Sequence, residues 1–113
     1  MSLIQLAALL VTLGIESGGM ALLAALLPGW RPQWRRAVWL ALALNLASHT
    51  VFWVALPLLP LPPEQAIPVG EWIVIAVEGA VYALTVARPP WSGWVVSILL
   101  NYASWVLSSY LWR

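Results

Sequence analysis

Long apolar runs separated by proline-containing breaks dominate the chain. The first run covers about residues 3–27 and stops at Pro28-Gly29. The second covers about 36–56 and stops at Pro57, the third covers about 69–87 and stops before Pro89-Pro90, and the fourth covers about 91–112. A helix rising ~1.5 Å per residue needs roughly 20 mostly apolar residues to cross ~30 Å of hydrocarbon. Each run is long enough, and proline at or just beyond the first three ends is the punctuation expected of a helix. None of the runs has the polar outer face that a helix of a water-soluble bundle requires. The pattern predicts an all-α, polytopic membrane protein: a single transmembrane domain, residues 1–113, folded as an antiparallel four-helix bundle. The first run lacks a basic leader and is too long for a signal peptide, so it is read as a retained span.

The polar residues inside the runs fall at one depth. The midpoints of the four runs lie beside Glu16, between Asn45 and His49, at Glu78 and at Asn101. Each helix also gathers its polar side chains into a stripe. Gln5, Thr12, Glu16 and Gly19 share a side of the first span, and Asn45, Ser48, His49 and Phe52 share a side of the second. Glu71, Glu78, Tyr82 and Thr85 share a side of the third, and Ser97, Asn101, Ser104 and Ser108 share a side of the fourth. A charged group at mid-bilayer costs at least ~2.5–3.5 kcal/mol, so the economical packing turns all four stripes inward. The expected intramembrane site is therefore Glu16, Asn45, His49, Glu78, Asn101 and Ser104. Thr12, Ser48, Glu71, Tyr82 and Ser97 form its second rank. One glutamate is expected to pair with His49, and the cluster to titrate as a unit. Asn45, Ser48 and the fourth-helix polar residues also serve as ordinary interhelical glue, at ~0.6 kcal/mol per contact and up to ~1.7. Glu71, near the outer end of its run, is expected to reach water, and Tyr82 to pack.

Composition sharpens this picture. Hydrophobic residues make up 63% of the chain, charged residues 8%, and the mean hydropathy is +0.90. That is too little charge for a soluble domain of this length. There is no lysine, aspartate or cysteine; the charge rests on five arginines and four glutamates. Disulfides and thiolate metal sites are excluded, and the net charge of +1 gives no basis for nucleic-acid binding. Arg31, Arg35, Arg36 and Arg88 fall in the two loops on one side, against Arg113 on the other. Arginine bias marks the cytoplasmic face. Both termini and the proline-rich segment PLPPEQAIPVGE, with Glu64, are then expected outside a prokaryotic cytoplasmic (inner) membrane. Trp30, Trp34, Trp39, Trp91 and Trp94 are expected at the cytoplasmic interface, and Trp72 and Trp112 at the outer one. Trp53 and Trp105 fall deeper and are expected to pack.

No phosphate-binding loop, dinucleotide fingerprint, HExxH or GxSxG motif is present. A lone His cannot build a His-rich metal site, although it could be an axial ligand to a pigment. No cofactor is expected, and an intramembrane enzyme using Glu and His as acid and base would lack any recognisable nucleophile. The succession of Glu followed by Asn-x-x-Ser occurs twice, as Glu16 with Asn45 and Ser48, then Glu78 with Asn101 and Ser104. This hints at a duplicated hairpin, a parallel repeat.

The stretches TLGIE (12–16), NLASHTVFWVALP (45–57), VEGAVY (77–82) and SILLNYAS (97–104) resemble a group of small bacterial and archaeal four-helix membrane proteins, with departures at Thr50, where proline is expected, and at Ser109, where glycine is common. The resemblance implies the fold and the polar layer, and no activity. Two functions of different class follow from the residues. One is a proton- or cation-coupled transporter, for which a chain this short would act as a homodimer. The other is a non-catalytic accessory or assembly subunit of a larger membrane complex.

Overall fold

The computed structural model describes residues 3–111, except for the side chains of Pro63 and residues 108–111. The roles expected of Ser108, Trp112 and Arg113 lie outside the described residues. Four α-helices follow one another: α1 (Leu3–Leu26), α2 (Trp34–Ala55), α3 (Pro63–Thr85) and α4 (Ser92–Leu111). Short 3-10 turns, Arg31–Gln33 and Leu56–Leu58, flank α2. The described residues contain no strand. The all-α, four-helix architecture expected from the apolar runs is present. Three of the helices are long and apolar enough to span a membrane; the described apolar part of α4, Ser92–Leu107, is shorter.

The helix ends follow local chemistry. Gln33 and Trp34 follow Pro32, which sits in the first turn of the 3-10 segment, where its missing N–H costs nothing. The apolar run of the third helix begins at Val69, yet α3 starts at Pro63. Pro63 occupies the first helical turn, again where no donor is needed. Pro68 lies inside the helix and removes the donor that would have met the Glu64 carbonyl. Glu64 is exposed, so that carbonyl is open to outside hydrogen-bond donors. The proline-rich segment is thus partly helix rather than all loop. The turn between α3 and α4, Arg88-Pro89-Pro90, is short and makes them an antiparallel hairpin, with a cis peptide at Arg88–Pro89.

Packing is uneven around the bundle. α1 packs along α2, α3 along α4, and α1 along α4, whereas α2 and α3 touch only slightly. Small residues set the close approaches. A Cβ on Gly93 would lie 2.6 Å from the backbone nitrogen of Ala83, and one on Gly79 would lie 2.5 Å from the Trp94 ring. In the half of the bundle near the arginine loops, Met20, Ala24, Ala37, Ala41, Tyr82 and Val86 form a dense apolar cluster that also includes Trp30. Trp30 is buried: its indole N–H donates to Ser92 Oγ at 2.8 Å, and its ring meets Tyr82 edge-on at 6.0 Å. Ser92 in turn donates to the Pro89 carbonyl at 2.6 Å. These bonds tie the α1–α2 turn to the α3–α4 turn.

Candidate functional site

The other half of the bundle is hollow. A cavity of about 390 Å³ lies in this half, lined from Ile4 near the start of α1 to Glu16. Ile4, Ala8 and Thr12 line it in succession on α1 before Glu16 is reached. Twelve residues of helix separate Ile4 from Glu16, about 18 Å of rise. Asn45, Ser48 and His49 line the α2 side, Glu71 the α3 side, and Asn101 and Ser104 the α4 side. The apolar cluster at Met20 and Ala41 closes the bundle beyond. Polar stripes at matched depth therefore meet inside the bundle.

Each buried carboxyl accepts a hydrogen bond from another helix. Glu78 Oε1 accepts from Asn101 Nδ2 at 2.8 Å, and its Oε2 accepts from Ser48 Oγ at 3.4 Å. Glu16 Oε2 accepts from Ser104 Oγ at 3.3 Å, and Asn45 of α2 lines the same cavity as this carboxyl. The two amides are themselves anchored by their own helices. Asn45 Nδ2 donates to the Ala41 carbonyl at 2.7 Å, and Asn101 Nδ2 donates to the Ser97 carbonyl at 2.9 Å. Ser97 reaches across the α3–α4 interface to donate to the Ile75 carbonyl at 2.8 Å. Glu16, Glu78, Asn45, Asn101, Ser97 and Ser104 are all buried. Among the described residues no buried side-chain N or O atom lacks a hydrogen-bond partner. That satisfaction is what permits so much polarity in an apolar bundle.

Three expectations need correction. His49 lines the cavity but is not hydrogen-bonded to a glutamate. Its Nε2 accepts from the Trp53 indole N–H, one turn along α2, at 2.6 Å, with the rings 5.9 Å apart. An imidazole nitrogen that accepts a hydrogen bond carries no proton, so this contact belongs to the neutral ring with its proton on Nδ1. The i, i+4 spacing of His49 and Trp53 in the sequence is the signal for this contact. Glu71, expected at a watery helix end, is half-buried and lines the same cavity as Glu16. The early start of α3 at Pro63 explains this, since it places Glu71 well inside the helix. Glu71 is close enough to act electrostatically on both Glu16 and Glu78. Trp105, expected to pack, is 55% exposed at the cavity wall.

The secondary residues divide. Thr12, Ser48 and Ser97 take part as described. Tyr82 is buried against Trp30 and near both glutamates, in line with a packing role. Thr85 only turns back on the Val81 carbonyl of its own helix, at 2.5 Å, and Ser17, likewise, donates to the Leu13 carbonyl. Phe52 sits over Gly70, where an added Cβ would meet its ring at 2.2 Å. Beside this contact a second, apolar cleft of about 380 Å³ runs between α2 and α3, with Leu44, Val51, Ile73 and Val77 on its walls and Ser48 and Glu78 at its floor. Among the described residues no three His, Cys, Asp or Glu side chains gather closely enough to hold a metal ion. The site's chemistry is that of carboxyls held by amide and hydroxyl donors: it can bind a proton or a small cationic or hydrogen-bond-donating solute.

No protein-family model, curated protein or solved structure matches the chain.

Proposed function

We propose that the chain is an integral protein of a prokaryotic cytoplasmic membrane and acts as a proton- or cation-coupled carrier. The arginine loops face the cytoplasm, and both termini and the cavity mouth face outward. The helix lengths, the near absence of charge on the outer faces and the arginine asymmetry support insertion in that sense. One observation carries the transport reading. A cavity in the terminal half of the bundle has a buried carboxyl on its wall, and dense apolar packing fills the other half. That fits a binding site open to one side only, as a carrier requires in either of its end states. Interhelical glue alone needs neither a carboxyl nor a cavity, because serine and asparagine bind helices at lower cost.

The test is flux in sealed vesicles. Purified protein reconstituted with a trapped pH dye, under gradients of protons and of a panel of monovalent cations, is expected to show pH-linked flux. Glu16→Gln should abolish that flux while the variant still inserts and keeps its helical content. Absence of flux under every gradient would overturn the reading. So would variants that chiefly lower protein abundance while a stoichiometric partner co-purifies, since that is the behaviour of an assembly subunit.

A further inference from the structure

The hydrogen bonds of the polar layer have an order that a single shared cluster would not need. Glu16 on α1 is bonded by Ser104 from the other hairpin, and Asn45 of its own hairpin lines the same cavity beside it. Glu78 on α3 is bonded by Asn101 from its own hairpin and by Ser48 from the other. Exchange of the α1–α2 hairpin with the α3–α4 hairpin maps one set onto the other: Glu on Glu, Asn on Asn, Ser on Ser. The repeated succession of Glu followed by Asn-x-x-Ser in the sequence is the covalent trace of the same relation. Each asparagine also donates to a carbonyl one turn before it in its own helix, Ala41 for Asn45 and Ser97 for Asn101. The equivalence therefore extends to how each amide is held.

The two sets differ in what they face. Glu16 lies on the cavity of the terminal half, among Thr12, Asn45, His49 and Glu71. Glu78 lies at the floor of the apolar cleft between α2 and α3, with Ser48, Phe52 and Val74 lining both spaces. The seam between α1 and α4 is closed, whereas its counterpart between α2 and α3 is open. The bundle is thus symmetric in its polar contacts and asymmetric in its packing.

We propose that the chain holds two separate proton sites of one design, Glu16–Asn45–Ser104 and Glu78–Asn101–Ser48, and that they exchange protons with water unequally. The Glu16 site exchanges through the cavity. The Glu78 site, walled from the cavity by Ser48, Phe52 and Val74, exchanges more slowly. The titratable groups around them are each other, His49 from α2, and Glu71 and Tyr82 from α3; α4 carries Tyr102, which is exposed. The proposal concerns proton occupancy and does not require transport. A failed flux assay would leave it standing, and its own failure would leave the carrier reading standing.

Infrared difference spectroscopy of the protein in lipid tests it, through the C=O stretch of protonated carboxyl groups during a pH jump and after transfer to D₂O. Two acid bands assignable to Glu16 and Glu78 are expected, one lost in Glu16→Gln and the other in Glu78→Gln, with the remaining band unmoved. Ser104→Ala should shift only the Glu16 band and Ser48→Ala only the Glu78 band, each to higher frequency as a hydrogen bond is lost. These serine variants serve if either Gln variant fails to fold. In D₂O the Glu16 band should shift first. A single band removed by both Gln variants would overturn the proposal, as would no acid band at any pH that the fold tolerates, serine changes that act on their own hairpin's glutamate, or equal exchange of both bands.

Discussion

Replacement of Asn101 by alanine probes the joint that the polar layer depends on most. The side chain is buried, and its amide donates to Glu78 Oε1 at 2.8 Å and to the Ser97 carbonyl at 2.9 Å. Hydrogen bonds between helices in lipid contribute ~0.6 kcal/mol on average and up to ~1.7. Two such bonds give ~1–3 kcal/mol. Leaving the Glu78 oxygen without a donor falls in the same range, ~1–3 kcal/mol, for a buried polar atom. The expected destabilisation is therefore ~1–3 kcal/mol, most of it from the carboxyl contact, because the Ser97 carbonyl keeps its backbone partner within α4. Reversible unfolding in mixed micelles, driven by a denaturing detergent and followed by tryptophan fluorescence, measures it. A double-mutant cycle with Glu78→Leu and Asn101→Leu isolates the pair and should give a coupling of about 1 kcal/mol. A change within ~0.3 kcal/mol of the parent for Asn101→Ala, or a coupling indistinguishable from zero, would refute the claim that this amide holds Glu78 in place.

Other outcomes follow from single contacts. Gly93→Ala places a Cβ 2.6 Å from the Ala83 backbone nitrogen, which cannot yield as a side chain can, so it should destabilise by ~1–3 kcal/mol in the same unfolding assay. Gly14→Ala, with nothing within 4 Å, should be neutral or stabilise α1 by ~0.5–1 kcal/mol. Trp30→Phe keeps the ring contact with Tyr82 but loses the bond to Ser92, and should cost ~1 kcal/mol. Trp53→Phe removes the donor to His49 Nε2, so the ¹⁵N resonance of that nitrogen, in the only histidine of the chain, should move while the fold is unchanged.

Much of this arrangement was legible in the residues because a membrane-like helix obeys few rules. Apolar length gave the helices, and proline the breaks between them. The expense of an acid inside an apolar run then put Glu16 and Glu78 with their amides on the inner side. What was missed depended on information that periodicity does not carry. The start of α3 at Pro63 turned on proline being harmless in a first helical turn, and with it went the environment of Glu71. The burial of Trp30 depended on two loops meeting, where a Cβ at Gly29 would strike the Arg88 carbonyl oxygen at 1.9 Å. Charge makes His49 a partner for an acid, whereas the indole one turn along its own helix donates to its Nε2. The cavity itself comes from which pairs of helices pack closely, and an apolar stripe of alanine and leucine does not specify that.

The account's central claim is a carboxyl deep in the bundle that is reached from the end bearing the termini and sealed from the arginine loops. The chain contains no cysteine, so single substitutions can be probed directly. Thr12→Cys and Ala8→Cys on the cavity wall, and Ala24→Cys and Ala41→Cys in the apolar half, would each be exposed to a charged, membrane-impermeant thiol reagent from either side of oriented vesicles. The account predicts that the first two react from the terminal side alone and the other two from neither. Reaction of Thr12→Cys from the arginine side, or modification of Ala41→Cys as readily as of Ala8→Cys, would contradict it.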